Sequence, residues 1–253
     1  LGRANTLQSL GDLERRLGQP ALARQHYNAA LELYDKEQNN LGRANTLKSL
    51  GDLESRLGQP ALARQHYNSA LELFEKEQNT LGRANTLQSL GDLESRLGQP
   101  ALARQHYNSA LELYEKEQVN LGRANTLQSL GDLERRLGQP ALARQHYNAA
   151  LELFEKEQNN LGRANTLKSL GDLESRLGQP ALARQHYNSA LKLFEKVQDN
   201  LGRANTLQSL GDLERLLGQP ALARQHYNSA LKLFEKVQDN LGRANTLKSI
   251  TTL

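Results

Sequence analysis

The sequence contains no cysteine, methionine or tryptophan, and aromatic residues make up only 5% of its 253 residues. The lack of cysteine excludes disulfides, zinc–thiolate sites and thiol nucleophiles. It leaves the compartment open, because secreted and cytosolic domains can both lack cysteine, and we expect a cytoplasmic location. Methionine is absent even at position 1, so we expect a fragment of a longer protein. No signal peptide is present, and no apolar run approaches the ~20 residues of a membrane helix.

A 40-residue segment recurs along the chain without insertion. Copies begin at residues 1, 41, 81, 121, 161 and 201, and a partial seventh copy covers 241–253. Self-similarity at a fixed period of this size is typical of solenoids, in which each unit buries its apolar faces against its neighbours. We therefore predict one solenoid over residues 1–253, with repeats 1–40, 41–80, 81–120, 121–160, 161–200 and 201–240.

Each copy predicts two helices joined by a short turn, and hence an all-α fold. In the second copy, helix A is expected over about 41–57, with Asn40 as its N-cap. Gly58 is expected to end that helix in the left-handed conformation, and Pro60 to open helix B, which runs to about Gln78. So short a connection predicts an antiparallel hairpin. The corresponding N-cap residues elsewhere are Thr80, Asn120, Asn160, Asn200 and Asn240.

Both helices carry apolar or small residues at spacings of three and four, which is typical of a buried helix face. On helix A of the first copy these are Ala4, Leu7, Leu10, Gly11 and Leu17. On helix B they are Ala23, Tyr27, Ala30, Leu31 and Tyr34, the last being Phe74, Phe154, Phe194 and Phe234 in other copies.

Charged residues also fall near the middle of the predicted helix A packing face, among them Arg3 and Glu14. A buried charge needs a partner. We predict that each glutamate of this position pairs with an arginine across a helix interface, either an Arg24-type residue or the Arg43-type residue of the following repeat. The alternative is that these side chains reach solvent at the edge of the interface. The six glutamates are Glu14, Glu54, Glu94, Glu134, Glu174 and Glu214.

The pattern of small and large residues resembles the tetratricopeptide repeat. The motifs that carry the resemblance are Leu7–x–x–Leu10–Gly11 on helix A and Ala23–x–x–x–Tyr27–x–x–Ala30 on helix B, and they recur in all six full copies. The chain departs from the family at Glu14, where a large aromatic residue is usual, and it lacks the closing proline. Its period exceeds the family's usual ~34 residues, and so it is similar to the longer-repeat branch of Pins/LGN scaffolds, kinesin light chains and the sensor arrays of MalT and NLR-like proteins.

The resemblance implies a right-handed superhelix that binds a peptide or a partner helix in a concave groove lined by helix A, without catalysis. Asparagine can bond a ligand backbone, and arginine can bind carboxylates bidentately. Because the repeats are nearly identical, the partner is expected to be acidic or periodic. Carried over to this sequence, the groove residues are Asn5, Gln8, Asp12, Arg15, Arg16, Asn45, Lys48, Asp52, Arg56, Asn85, Asp92, Arg96, Asn125, Asp132, Arg135, Arg136, Asn165, Lys168, Asp172 and Arg176.

Two other functions stay open at this point. The repeats are also consistent with a sensor or autoinhibitory array of a larger signal-transducing NTPase of the STAND/NLR type, which contacts other domains of the same parent chain. Self-association through uncapped ends, or a spacer role, is the third possibility. The discriminating observation is the full reading frame, because a nucleotide-binding module upstream favours the sensor.

Catalytic, metal and nucleic-acid functions are not expected. Each copy offers one histidine, and equivalent positions on packed helices lie ~8–10 Å apart, too far to share a zinc ion. No serine has an activating base at a helical neighbour position, and no glycine-rich phosphate loop is present. The net charge of +4 is spread over alternating acids and bases, so no basic stripe suits nucleic acid. We expect neither a metal nor a cofactor, and no membrane partner.

Overall fold

The computed structural model describes residues 1–253 as thirteen α-helices without a strand. Odd-numbered helices are the predicted helix A of each repeat, and even-numbered helices are helix B. Their bounds are α1 Gly2–Arg16, α2 Pro20–Lys36, α3 Asn40–Arg56, α4 Pro60–Lys76, α5 Thr80–Arg96, α6 Pro100–Lys116, α7 Asn120–Arg136, α8 Pro140–Lys156, α9 Asn160–Arg176, α10 Pro180–Lys196, α11 Asn200–Leu216, α12 Pro220–Lys236 and α13 Asn240–Thr251.

The chain divides into two compact units, Leu1–Thr126 and Leu127–Leu253, with the boundary inside α7. Within the first unit each helix from α1 to α6 packs against the next one along the chain, and α3 also touches both α1 and α5. The second unit repeats this arrangement from α8 to α13, with α11 touching α9 and α13. Each unit is thus an all-α solenoid of helix-turn-helix repeats, as predicted. One continuous solenoid over residues 1–253 stays a prediction.

The turn chemistry largely matches the prediction. Every helix B begins at its proline, and the glycine that follows each helix A has a φ of +68° to +73°. The predicted N-caps, however, are wrong by one residue, since Asn40 and its equivalents already lie inside the helix. The capping side chain belongs to the preceding residue, whose oxygen accepts from the glycine N–H of the first turn; the capping residues are Asn39, Asn79, Asn159, Asp199 and Asp239.

Two kinds of buried cluster alternate along the chain. The cluster inside a repeat contains Ala44, Ala70 and the ring of Phe74. The cluster between repeats joins Tyr27 of one helix B to Leu50 and Leu53 of the next helix A. Each aromatic ring packs directly on a glycine of helix A, and no larger residue would fit there. A Cβ on Gly51, for example, would lie 2.5 Å from the Tyr67 ring.

One assignment of the helix A face is wrong, and one buried position was not predicted. Leu17 is 61% exposed and its equivalent Leu57 is 41% exposed, because this residue is the C-cap and lies past the last helical turn. The buried leucine is instead Leu53, which is 3% exposed and contacts the preceding repeat.

The predicted ion pair across a helix interface is confirmed with the Arg24-type residue. Glu54 is buried on α3, and Arg24 of the preceding repeat donates to its two carboxylate oxygens over 2.8 Å each. The Arg43-type residue pairs elsewhere, with an acidic residue at the end of the preceding helix B, as Arg43 does with Asp35 at 3.1 Å. The same two-bond pair recurs in Arg64–Glu94, Arg144–Glu174 and Arg184–Glu214.

Glu14 and Arg3 depart from this prediction. Glu14 lies on α1, which packs only against α2 and α3, and its Oε2 is buried without a hydrogen-bond partner. Arg3 is exposed rather than part of the packing layer.

Candidate functional site

The predicted groove residues all lie on odd-numbered helices, at two levels of exposure. The asparagines of the Asn5 type and the arginines of the Arg16 type are exposed. Residues of the Gln8 and Asp12 types are half-buried, because they lean towards the rings of the neighbouring helix B. Each of the first five repeats therefore presents one exposed amide and one exposed guanidinium, with a partly covered carboxylate between them in sequence, whereas the sixth carries Leu216 in place of the arginine.

A tyrosine of helix B holds each of these carboxylates. The hydroxyl of Tyr27 donates to Asp12 Oδ1 over 2.7 Å, and burial with this hydrogen bond raises the pKa of Tyr27 to about 12. The hydroxyl is thus a permanent donor at neutral pH. The same bond, between 2.7 and 2.8 Å, joins Tyr67–Asp52, Tyr107–Asp92, Tyr147–Asp132, Tyr187–Asp172 and Tyr227–Asp212.

A second tyrosine reaches the groove amides in two repeats only. The hydroxyl of Tyr34 donates to Asn5 Oδ1 over 2.6 Å and lies 3.0 Å from Gln8 Oε1. Tyr114 makes the same two contacts, with Asn85 and Gln88. The other four full repeats carry phenylalanine at this position, so their amides receive no such hydroxyl.

Several of the basic groove residues are bound within the chain. Lys48 Nζ lies 2.8 Å from Asp52 Oδ2, and Lys168 makes the same pair with Asp172. Arg15 Nε donates to the hydroxyl of Tyr27 over 3.3 Å. The Arg16-type residues at the end of the first five A helices are exposed, although Arg96 donates to Ser55 of the preceding repeat and Arg96 and Arg136 donate to the carbonyl oxygens of Asp92 and Asp132.

A pocket of about 340 Å³ opens in the second unit between α9 and α11, above a ring of α10. It brings together two predicted residues, Asn165 and Lys168, whereas the predicted Asp172 and Arg176 do not line it. The sequence reasoning did not include the facing residues from the sixth repeat, although the 40-residue period identifies them as copies of named positions. The full lining is Asn165, Lys168, Phe194, Gly202, Asn205, Gln208, Ser209 and Asp212.

Other chemistry is sparse. The structure contains no group of three or more histidine, cysteine, aspartate or glutamate side chains placed to hold a metal ion. The histidines of helix B are half-buried beside the inter-repeat ion pairs, and desolvation lowers the pKa of His66 although the Glu54 carboxylate acts in the opposite direction. None of the thirteen helices combines the length and apolar character needed to cross a bilayer.

The family model of the tetratricopeptide repeat matches residues 2–76, 43–116, 122–196 and 162–236. The chain belongs to the tetratricopeptide repeat family. Proteins built from these repeats are in general interaction scaffolds, and most of them have no catalytic activity. A comparison with curated protein sequences finds no match.

Solved structures with tetratricopeptide repeats share the fold. A Rap protein in complex with competence and sporulation factor is 16% identical, with a TM-score of 0.73 over 99% of this chain and 74% of that one. The apo form of RapI is 16% identical, with a TM-score of 0.75 over 98% and 96%. A STAND protein with a tetratricopeptide repeat sensor from Pyrococcus horikoshii is 15% identical, with a TM-score of 0.75 over 98% of this chain and 38% of that one.

Proposed function

We propose that, within each unit of this tetratricopeptide repeat chain, the odd-numbered helices form a groove that binds an extended peptide of a partner protein. The observation that carries the proposal is the row of exposed asparagines and arginines at the same two positions of successive helices. The similarity to a Rap protein in complex with competence and sporulation factor is consistent with a binding role.

The amides suit a peptide backbone. A carboxamide offers both a donor and an acceptor, and so it can satisfy a backbone N–H or C=O regardless of the peptide's sequence. The carboxylates beneath them are held by buried tyrosine hydroxyls, for example Asp52 by Tyr67 at 2.8 Å. A surface that is already ordered loses less side-chain entropy when it binds.

The arginines favour acidic side chains on the peptide. Because the lysines and the Arg15-type residues are already paired with aspartates, the exposed Arg16 and Arg56 supply positive charge for a ligand on this face. Guanidinium groups bind carboxylates through two parallel hydrogen bonds.

The test begins with peptides selected from a random phage-displayed library on the wild-type chain. Their affinity is then measured for a variant with Arg16→Glu and Arg56→Glu. We expect binding to weaken about tenfold and to lose its salt dependence, since rim charges mainly set steering and screened attraction.

The matched control is the variant with Lys36→Glu and Lys76→Glu. These lysines are exposed and lie in the last turn of their helices, as the two arginines do, so the charge change and the helix-dipole cost are the same. The control should bind like the wild type. Equal weakening in both variants would mean that net charge, not the groove, attracts the peptide, and no weakening in either would contradict the proposal.

A sensor array of a larger STAND-type NTPase is the second proposal. What favours it is the fold similarity to the Pyrococcus horikoshii protein, of which this chain covers 38%. The full reading frame tests it directly: a nucleotide-binding module on the same chain supports the sensor, and an array without one supports the peptide groove.

A further inference from the structure

We propose that the tyrosine-or-phenylalanine choice at the Tyr34 position decides which parts of the groove accept a ligand. Repeats with phenylalanine hold an open subsite for a neutral hydrogen-bonding group of the peptide, such as a hydroxyl, a carboxamide or a backbone amide. Repeats with tyrosine are closed by their own hydroxyl. The inference rests on the proposed peptide-binding function. It adds which repeats can accept a ligand group and which kind of group they accept.

The core does not distinguish the two residues. Tyr34, Tyr114, Phe74 and Phe194 are all at most 1% exposed. Each ring packs in the same way on the glycine at the second position of the next repeat, where a Cβ would overlap the ring carbons, as at Gly42 and Gly202. At this position the repeats therefore differ only in the presence or absence of the tyrosine hydroxyl. What the hydroxyl does depends on the side chains around it.

In the repeats with tyrosine, that hydroxyl contacts the amide side chains of the groove. Tyr34 donates its one hydroxyl proton to Asn5 at 2.6 Å, and the same oxygen lies 3.0 Å from Gln8 Oε1, so the hydroxyl takes the Asn5 oxygen and fills the space beside Gln8. The phenol also lies partly buried, and desolvation raises its pKa, which keeps the proton on the hydroxyl. A ligand donor would have to displace this internal bond.

In the fifth repeat the corresponding space is open. Phe194 forms the floor of the 340 Å³ pocket, and Asn165, the equivalent of Asn5, lies on its wall. A volume of this size exceeds the ~30 Å³ of one water molecule and is sufficient for a side chain. The subsite thus lies where a tyrosine hydroxyl would otherwise point.

The lining favours a neutral polar group over an anion. Lys168 is neutralised by Asp172 at 2.8 Å, whereas Asp212 accepts a hydrogen bond from the hydroxyl of Tyr227 and keeps its negative charge. The remaining polar lining is carboxamide and hydroxyl, from Asn205, Gln208 and Ser209 together with Asn165. Such a set satisfies one donor and one acceptor at once, whereas an anionic group would lose its hydration beside the Asp212 carboxylate without gaining an unpaired cation.

Two reciprocal variants test the inference with peptides selected from a random phage-displayed library on the wild-type chain. The closed variant carries Phe74→Tyr, Phe154→Tyr, Phe194→Tyr and Phe234→Tyr. The open variant carries Tyr34→Phe and Tyr114→Phe. Each new residue already stands at the equivalent position of another repeat, so both variants should keep the helical circular dichroism of the wild type.

We expect the closed variant to bind the selected peptides about tenfold more weakly. Each added hydroxyl would hydrogen-bond to a groove amide that the ligand otherwise binds. The open variant should bind as tightly as the wild type or more tightly. Wild-type affinity in the closed variant would overturn the inference. If the Arg16→Glu and Arg56→Glu variant still loses binding in that case, the peptide groove stands and only the subsite inference fails; if both variants bind normally, both fail.

Discussion

Arg24 on α2 binds the buried carboxylate of Glu54 on α3 through two hydrogen bonds of 2.8 Å. Glu54 is 1% exposed, whereas the arginine side chain keeps 40% of its surface in solvent. The bond runs from helix B of one repeat to helix A of the next, so it fixes the register between units whose apolar faces are otherwise interchangeable. The glutamate gives no stability without its partner, because a buried carboxylate must otherwise lose its hydration uncompensated.

The first prediction concerns this pair. Glu54→Gln should lower the free energy of unfolding by about 1–3 kcal/mol, since the charge-assisted bonds are lost while the buried position stays polar. The measurement is the midpoint of urea unfolding. Glu14→Gln is the control: it is the same substitution at the same helix position, half-buried, where Oε2 has no partner, and it should leave stability unchanged or raise it because no ion pair is lost. Equal losses in the two variants would show that the arginine contributes nothing.

The sequence predicted this pair because a glutamate in an apolar stripe has few physical solutions. It also predicted the repeats and hairpins, since glycine and proline fix the turn at residues 58–60 and at the equivalent residues of the other full copies. It failed at Asn39 and Asn40, because both can cap a helix and only the chain path decides between them. Leu53 was missed because a helical wheel drawn on one repeat does not include the face that the preceding repeat covers.

The candidate site was only partly predictable. Residue types and spacing place Asn5 and Asp12 on the polar face of helix A, but periodicity within one helix contains no information on which hydroxyl of helix B reaches them. The bonds from Tyr27 and Tyr34 depend on the packing distance between helices, which the side chains of several repeats set together. From the sequence alone, the substitution of tyrosine by phenylalanine therefore resembles neutral variation. The structure shows that the tyrosine hydroxyl bonds to groove amides.

The second prediction concerns the glycine in the first turn of helix A. Gly42→Ala should destabilise the fold by about 1–3 kcal/mol, because the added Cβ would overlap the buried ring of Tyr34 and the core has no room to yield. Gly2→Ala is the control, since nothing lies within 4 Å of a Cβ there. It should be neutral or slightly stabilising, as alanine favours the helix. A destabilised Gly2→Ala would point to an effect of backbone freedom rather than of the ring.

The third prediction concerns the residue that follows each helix B. Gln78 has a φ of +51°, a left-handed conformation that costs a residue with a Cβ roughly 1 kcal/mol. Gln78→Gly should therefore raise the free energy of unfolding by about 0.5–1 kcal/mol. The same change at Gln65, exposed in the middle of α4, should lower it by a similar amount because glycine is a poor helix former. Thermal unfolding of the two variants should shift in opposite directions, and a shared sign would contradict the prediction.

The fourth prediction is a loss of stability in mild acid. Desolvation lowers the pKa of four histidines that lie beside the inter-repeat glutamates: His66, His106, His186 and His226. Their unfolded pKa is about 6.5, so below that pH the unfolded chain binds more protons than the folded one. The stability from neutral histidines is thus complete above about pH 6.5 and is lost as the pH falls towards the lowered folded values.

The hydrogen bond from Arg184 lowers the pKa of Glu214, so that pair has the same sign but loses its contribution only at more acidic pH. Urea midpoints at about pH 7.5 and about pH 5.5 separate the two effects. The wild type should lose stability between them, and a variant with all four histidines changed to glutamine should lose much less, because glutamine is polar but does not titrate. If the variant keeps the wild-type slope, the histidines are not the source of the acid sensitivity, and the carboxylates of the ion pairs become its remaining explanation.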